Sequence, residues 1–253
     1  MSGAGGPGAA VVTGGSSGIG AAVAAAQGAA GRRVVGWDLA PTAEVWCDVR
    51  DPASVDAALE RTRELVGVPT SWTFSAGRGH SATLLDADPA DWDAVAGVNA
   101  KGLWLCMRAA ARAMIDVGVP GSMVALTSVS GSLADRGMGL YCASKAAADM
   151  LVRVAAAEWA EHGIRVNAVA PGVTETPMLG PVRPGGWTDG VIRRTPLGRL
   201  GAAADVAEAV LALHAAGWVT GQVLAADGGL SLHSPIDAYG ERQRRAGSAE
   251  PAP

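Results

Sequence analysis

Lysine is almost absent from this chain of 253 residues, which uses 18 arginines but only Lys101 and Lys145. Tyrosine is as scarce, with two copies, and phenylalanine occurs once. Positive charge is not in excess: Lys+Arg 20 against Asp+Glu 24 gives a formal net charge of −4, and no Lys/Arg cluster is interleaved with aromatics. Nucleic acid and anionic membrane surfaces are therefore not expected partners. No run reaches the roughly 18 apolar residues of a membrane span, and the opening MSGAGGPGAAVV has no charged segment, apolar core and cleavage site in series. A globular, cytoplasmic protein is the expectation. Cysteine is limited to Cys47, Cys106 and Cys142, an odd set without metal-ligand spacing, which speaks against a disulfide framework or a zinc site and for thiols packed as small hydrophobes. His80, His162, His214 and His233 are equally scattered and no metal is expected; His80, in a loop, is the one placed to meet a substrate.

What the chain does have is alternation. At 49% hydrophobic it can bury the core of one large domain. Short β-rich runs at 9–14, 32–38, 71–77, 122–128, 164–172 and 221–229, with a weaker one at 44–49, alternate with helical periodicity at 18–30, 52–66, 91–117, 141–162 and 203–216. Pro52 after Asp51 and Pro89 after Asp88 mark helix entries. Such alternation argues an α/β fold: a parallel sheet with helices on both faces, in a single domain over 1–233. The Pro/Gly-punctuated stretch 177–200 reads as a mobile lid, and 234–253 as a polar tail.

The first strand runs into TGGSSGIG (13–20) and then a helix. Glycines 14, 18 and 20 allow a tight turn and close approach of a pyrophosphate to a helix N-terminus. Their spacing is Gly-x-x-x-Gly-x-Gly rather than the Gly-x-Gly-x-x-Gly of the usual dinucleotide fingerprint. Asp38 ends the second strand, where a carboxylate accepts hydrogen bonds from the adenosine ribose hydroxyls. Asp48 ends the next and could face the adenine. Ser128 closes a later strand, and Tyr141 and Lys145 of YCASK stand four apart, on one face of a helix.

Together with SAG (75–77), Asn99 of VNAKG, Asn167 of RVNAVAPG and PGVTETP (171–177), these motifs resemble the short-chain dehydrogenase/reductase family from about residue 8 to 230. The resemblance implies a Rossmann-type doubly wound fold with a seven-stranded parallel sheet of order 3-2-1-4-5-6-7, and a homotetramer built through helices 91–117 and 141–162. It implies NAD as cofactor and Asn99, Ser128, Tyr141 and Lys145 as the catalytic set. The cofactor contacts it implies are Gly14, Ser16, Ser17, Gly18, Ile19, Gly20, Asp38, Leu39, Asp48, Val49, Ser75, Ala76, Gly77, Asn99, Tyr141, Lys145, Pro171, Gly172, Val173 and Thr176. Tyr141 would exchange a proton with a small-molecule alcohol or carbonyl substrate, its phenol brought toward neutrality by Lys145 and the positive nicotinamide. Asn99 would support a proton-relay water. One departure stands out: SAG replaces the family's usual NAG, so hydrogen bonds of an asparagine to the sheet centre must be replaced or lost.

The substrate is expected between 78–86, 130–140 and 177–200. Leu133, Met138, Met178, Leu179, Trp187, Val191 and Ile192 suggest apolar walls, with Arg183, Arg193 and Arg194 as an acidic-substrate alternative. A dehydratase or epimerase on the same scaffold, or a regulator that senses NAD without turnover, are the other readings.

Overall fold

The computed structural model describes residues 8–232 and residue 242; most of the expected tail, and His233, lie outside them. The sheet strands are β1 (Ala10–Thr13), β2 (Val34–Asp38), β3 (Val45–Trp46), β4 (Ser71–Phe74), β5 (Gly121–Leu126), β6 (Ile164–Pro171) and β9 (Val223–Ala226); β7 (Thr174–Glu175) and β8 (Gly201–Ala202) pair separately. The sheet runs β3-β2-β1-β4-β5-β6-β9, every pair parallel, which is the expected order with β9 as its seventh strand.

Strand residues alternate between two cores, as the two-residue period of a strand requires. Val11, Ala125 and Ala168 face one side, with Val55 and Leu59 of α2 (Pro52–Val66), Met107 and Met114 of α4 (Leu103–Asp116) and Val152 of α5 (Gly139–Trp159). Their sequence neighbours Val12, Val124 and Val169 face the other, with Val23 of α1 (Gly18–Ala29) and Val206 and Val210 of α7 (Ala203–Ala215). Helices thus cover both faces of a single α/β domain. Both proline-marked entries hold: Asp51 caps α2 through Ala53 N, and Asp88 caps α3 (Pro89–Ala96) through Ala90 N. Each such cap contributes about 1 kcal/mol.

Two expectations need correction. The helix read as continuous over 91–117 is α3 and α4 joined by a π-helical turn, Gly97–Gly102. Each half keeps its own apolar periodicity, and a phase slip of one residue between them does not stand out in so short a stretch. The stretch 177–200, expected as a lid outside the run of strands and helices, contains a helix of its own, α6 (Trp187–Arg194), which buries Thr188 and Val191.

A polar cluster sits between the sheet and the α1/α7 layer. His214 meets Ser122 Oγ through Nδ1 at 3.0 Å and Thr73 Oγ1 through Nε2 at 3.0 Å, while Gln27 donates to Ser71 Oγ at 3.3 Å. Arg165 closes the C-terminal end of α7, donating to Leu213 O (3.0 Å), His214 O (2.8 Å) and Ala216 O (2.8 Å). Among the described residues no helix is long and apolar enough to cross a membrane.

Candidate active site

The C-terminal ends of β1, β2, β4, β5 and β6 carry the expected site segments. Between β1 and α1 the chain turns through Gly14 (φ 65°) and Gly18 (φ 53°), left-handed conformations that favour glycine. A Cβ on Gly14 would lie 2.8 Å from Ala76 N, and one on Gly20 2.0 Å from Gly14 O. The turn therefore packs backbone against backbone, and Thr176 lies over it, its Cβ 3.4 Å from the place of a Gly18 Cβ.

Asp38 points back at this turn, accepting Ser16 N–H at 3.0 Å and Ala40 N–H at 3.1 Å. Asp48 is less free than expected. Arg50 donates to its carboxylate from Nε (2.9 Å), Nη2 (2.6 Å) and the backbone N–H (3.0 Å), and this pairing holds the Asp48 carboxyl below its usual range. The cavity thus receives an Asp48–Arg50 pair rather than a lone carboxylate.

The substitution of serine in SAG leaves the floor tied by other means. Thr13 O accepts Ser75 N–H at 3.0 Å and Thr13 Oγ1 accepts Ala76 N–H at 3.3 Å, so β1 and β4 stay joined without an asparagine amide. Asn99, in the π turn, uses its side chain as a clamp. It accepts Arg78 N–H at 2.8 Å, and its amide donates to Arg78 O at 2.9 Å and Ser144 Oγ at 3.0 Å. Ser144 in turn donates to Tyr141 O at 2.7 Å.

Ser128 follows β5 and its hydroxyl caps the short turn Val129–Gly131. Tyr141 and Lys145 come from the first turns of α5, with Lys145 Nζ 5.6 Å from the Tyr141 ring centroid. Lys145 is 5% exposed and donates to Leu126 O at 2.9 Å. Burial lowers its ammonium to about 8, with Asp149 acting in the opposite direction. Burial pushes the Tyr141 phenol above its usual range; the Ser128 hydroxyl opposes this, while Cys142 and Asp135 add to it. The lowering expected of Lys145 together with the positive nicotinamide concerns the cofactor-bound site; in the chain alone desolvation of the phenol is the largest influence.

A cavity of about 430 Å³ gathers most of these segments: Gly14, Ser17, Gly18, Ile19, Asp38, Leu39, Asp48, Val49, Ser75, Ala76, Gly77 and Thr176 line it. Trp37, Cys47, Arg50, Arg78, Val98, Pro177 and Met178 also do, none of them singled out as a cofactor contact from the sequence. Gly172 and Val173 line a separate cavity instead, with Leu197 and Asp227. On the substrate side Ala82 N–H donates to Gly137 O at 2.9 Å, joining two of the expected wall segments. His80 is turned toward α3, its Nε2 3.2 Å from Asp91 Oδ2.

A family profile described as Enoyl-(Acyl carrier protein) reductase matches residues 14–231. The chain is similar to the (3R)-3-hydroxyacyl-CoA dehydrogenase of Canis lupus familiaris, 36% identical over 249 residues that cover 88% of this chain and 96% of the relative. It is also similar to the galactitol 2-dehydrogenase (L-tagatose-forming) of Cereibacter sphaeroides, 37% identical over 246 residues, 88% and 94% of the two chains. Among solved structures, a short-chain type dehydrogenase/reductase from Mycobacterium marinum superposes with a TM-score of 0.86 at 29% identity, covering 89% of this chain and 96% of that one.

Proposed function

The chain belongs to the short-chain dehydrogenase/reductase family, and we propose that it is an NAD(H)-dependent oxidoreductase acting on a secondary alcohol and its ketone, with Tyr141 as general acid and base. The observation that supports this reading is that Ser128, Tyr141 and buried Lys145 meet beside the cavity that Asp38 lines. They are not in its walls, but Lys145 Nζ lies 3.7 Å from the place of a Cβ on Gly77, which is. The residues fit a dinucleotide: glycine at 14 and 20 lets the turn pack directly on the Ser75–Ala76 backbone and on itself. This brings the cavity-lining Gly14, Ser17, Gly18 and Ile19 to the N-terminus of α1, where backbone N–H groups suit a pyrophosphate. Gly14, Ser17, Gly18 and Ile19 would hold the pyrophosphate, Asp38 the adenosine ribose, and Lys145 the second ribose. When bound, oxidised nicotinamide accepts the hydride and sets a positive charge near the phenol.

The chain's own part is proton handling and orientation. Ser128 and Tyr141 hold the reacting oxygen between two hydroxyls. In oxidation the Tyr141 phenolate takes the alcohol proton; in reduction the phenol returns one to the carbonyl oxygen. The Lys145 ammonium favours the phenolate. Asn99 fixes both walls at once, through the Arg78 backbone and through Ser144 to Tyr141 O.

The two relatives' names concern a hydroxyacyl thioester and a sugar alcohol, so an alcohol substrate is supported while its shape stays open. A homotetramer goes with the same reading, as does a cytoplasmic location. Trp104 on α4 and Met150 and Val154 on α5 are exposed apolar residues that such contacts would cover. The test is growth of reduced-nicotinamide absorbance across cyclic, steroidal, acyl-thioester and sugar alcohols. NAD binding without turnover of any of them would replace this reading with that of a sensor.

A further inference from the structure

Three successive residues at the end of β5 meet three residues of α5 spaced four apart. Leu126 O accepts the Lys145 ammonium, the Ser128 hydroxyl acts on the Tyr141 phenol, and between them the Thr127 hydroxyl acts on Asp149. Tyr141, Lys145 and Asp149 stand at i, i+4 and i+8, so one face of the helix presents all three. The proposed chemistry uses the first two and leaves the third without a role.

Asp149 is 6% exposed, and its Oδ1 is buried with no hydrogen-bond partner among the described residues. Its Oδ2 lies 2.8 Å from where a Gly131 Cβ would stand, and Lys145 O is 3.2 Å from the same point. Glycine at 131 therefore lets the turn after Ser128 close onto the helix at this carboxylate. Thr127 Oγ1 also donates to Val169 O, at a long 3.4 Å. A buried carboxylate with an idle oxygen is unfavourable unless a cation answers it. Burial raises the Asp149 carboxyl above its usual range, and Thr127, then Arg153 one turn after and Lys145 one turn before, act in the opposite direction to favour the ionised form. The charge acting on Lys145 is Asp149. From the neighbouring elements, the π turn presents uncharged Asn99, and the 130–140 segment presents Asp135, which acts on Tyr141 and is held by Ser130 at 2.5 Å.

We propose that Asp149 is a positioning residue of this site: its carboxylate keeps the buried Lys145 ammonium charged and ties Thr127, and with it Ser128, to the helix face that carries Tyr141. The proposal rests on Tyr141 and Lys145 being the proton-handling pair. Without an answering anion, a desolvated lysine sheds its proton and with it the field that favours the phenolate.

The scarcity of lysine gives a direct readout. In protein labelled with ε-13C lysine only two side chains report, and Lys101→Arg assigns the exposed one. The buried lysine of the parent should titrate near about 8. In Asp149→Asn, of the same shape, its midpoint should fall by at least about 0.5 unit, and the high-pH limb of kcat/KM should move down with it. Thr127→Val removes only the hydroxyl and should move the midpoint the same way by a smaller amount, at least about 0.2 unit. An unmoved midpoint in folded Asp149→Asn, or in Thr127→Val should the first variant not fold, overturns the proposal. Tyr141→Phe assayed alongside separates the two ideas. Turnover kept there removes the functional reading, whereas turnover lost there with an unmoved lysine midpoint removes only the role of Asp149.

Discussion

Asp38 and Ser16 are joined across the rim of the cavity, the carboxylate of the residue that ends β2 accepting the backbone N–H of the glycine turn at 3.0 Å. One side chain therefore fixes the turn and leaves its remaining lone pairs for a ribose. A 2′-phosphate at that point meets repulsion of up to about 4 kcal/mol per pair of unit charges at 4 Å and an effective dielectric near 20. Arg33 is paired with Glu44, and Arg50 is held by Asp48, so neither is free to offset it. We expect kcat/KM with NAD to exceed that with NADP by more than about 10². Asp38→Asn keeps an acceptor for Ser16 and should narrow the ratio at least tenfold; Asp38→Ala should also weaken NAD. Equal use of both cofactors by the parent would place Asp38 away from the ribose.

Tyr141→Phe keeps the ring on α5 and removes the proton. Turnover should fall by about 10²–10⁴ or more. Cofactor binding should persist, and Trp37, which lines the cavity, offers a fluorescence signal for it. A variant within tenfold of the parent would show that another group moves the proton.

Lys145→Arg keeps a positive charge in a space built for an ammonium. The parent Nζ reaches Leu126 O in a fully packed setting, and a planar guanidinium spreads its charge and cannot take the same place. We expect kcat/KM at least about 10² lower, with a chain that still binds cofactor weakly. Full activity would mean that charge alone matters here.

His214 makes stability depend on pH. Burial, with Arg32 and Arg165 nearby, lowers its imidazolium to about 3, whereas the unfolded chain titrates near about 6.5. Between these values the unfolded state binds more protons, so stability is full above pH 6.5 and declines as pH falls through the window. The slope from this group is at most about 1.4 kcal/mol per pH unit. Urea unfolding at pH 7 and pH 5 should show up to about 2 kcal/mol of loss from it. In His214→Gln that part of the loss should vanish; an unchanged pH slope would show that the ring titrates normally.

Much of this architecture was legible because it is written in periodicities and short spacings. Runs such as AVVT and SWTF alternate with helices that open on Asp-Pro, and the strand order followed from the family resemblance carried by the glycine turn and YCASK. What escaped depends on contacts between distant segments. Nothing near Asp48 announces that Arg50 folds back on its carboxylate, since an exposed pair two residues apart leaves no pattern. The π turn is hard to see because each half keeps its own periodicity, and a single phase slip of one residue between two short helices passes for ordinary scatter in the apolar pattern. YCASK shows Lys145 beside Tyr141, but the burial that pushes the phenol up, to which Cys142 and Asp135 add by charge, comes from packing that the pentapeptide does not record.

The π turn at Gly97–Gly102 also bears on how this chain can change over generations. It holds one residue more than an α-helical turn would, and that surplus brings the Asn99 amide onto the Arg78 backbone and Ser144. Deletion of a single codon there, such as that for Ala100, would restore a regular ladder from α3 to α4 while rotating one half against the other by about 100°. The scaffold would be mended and the clamp lost. Descendants that keep the chemistry should therefore tolerate length changes in the loops before 89 and after 116 and carry none between 97 and 102.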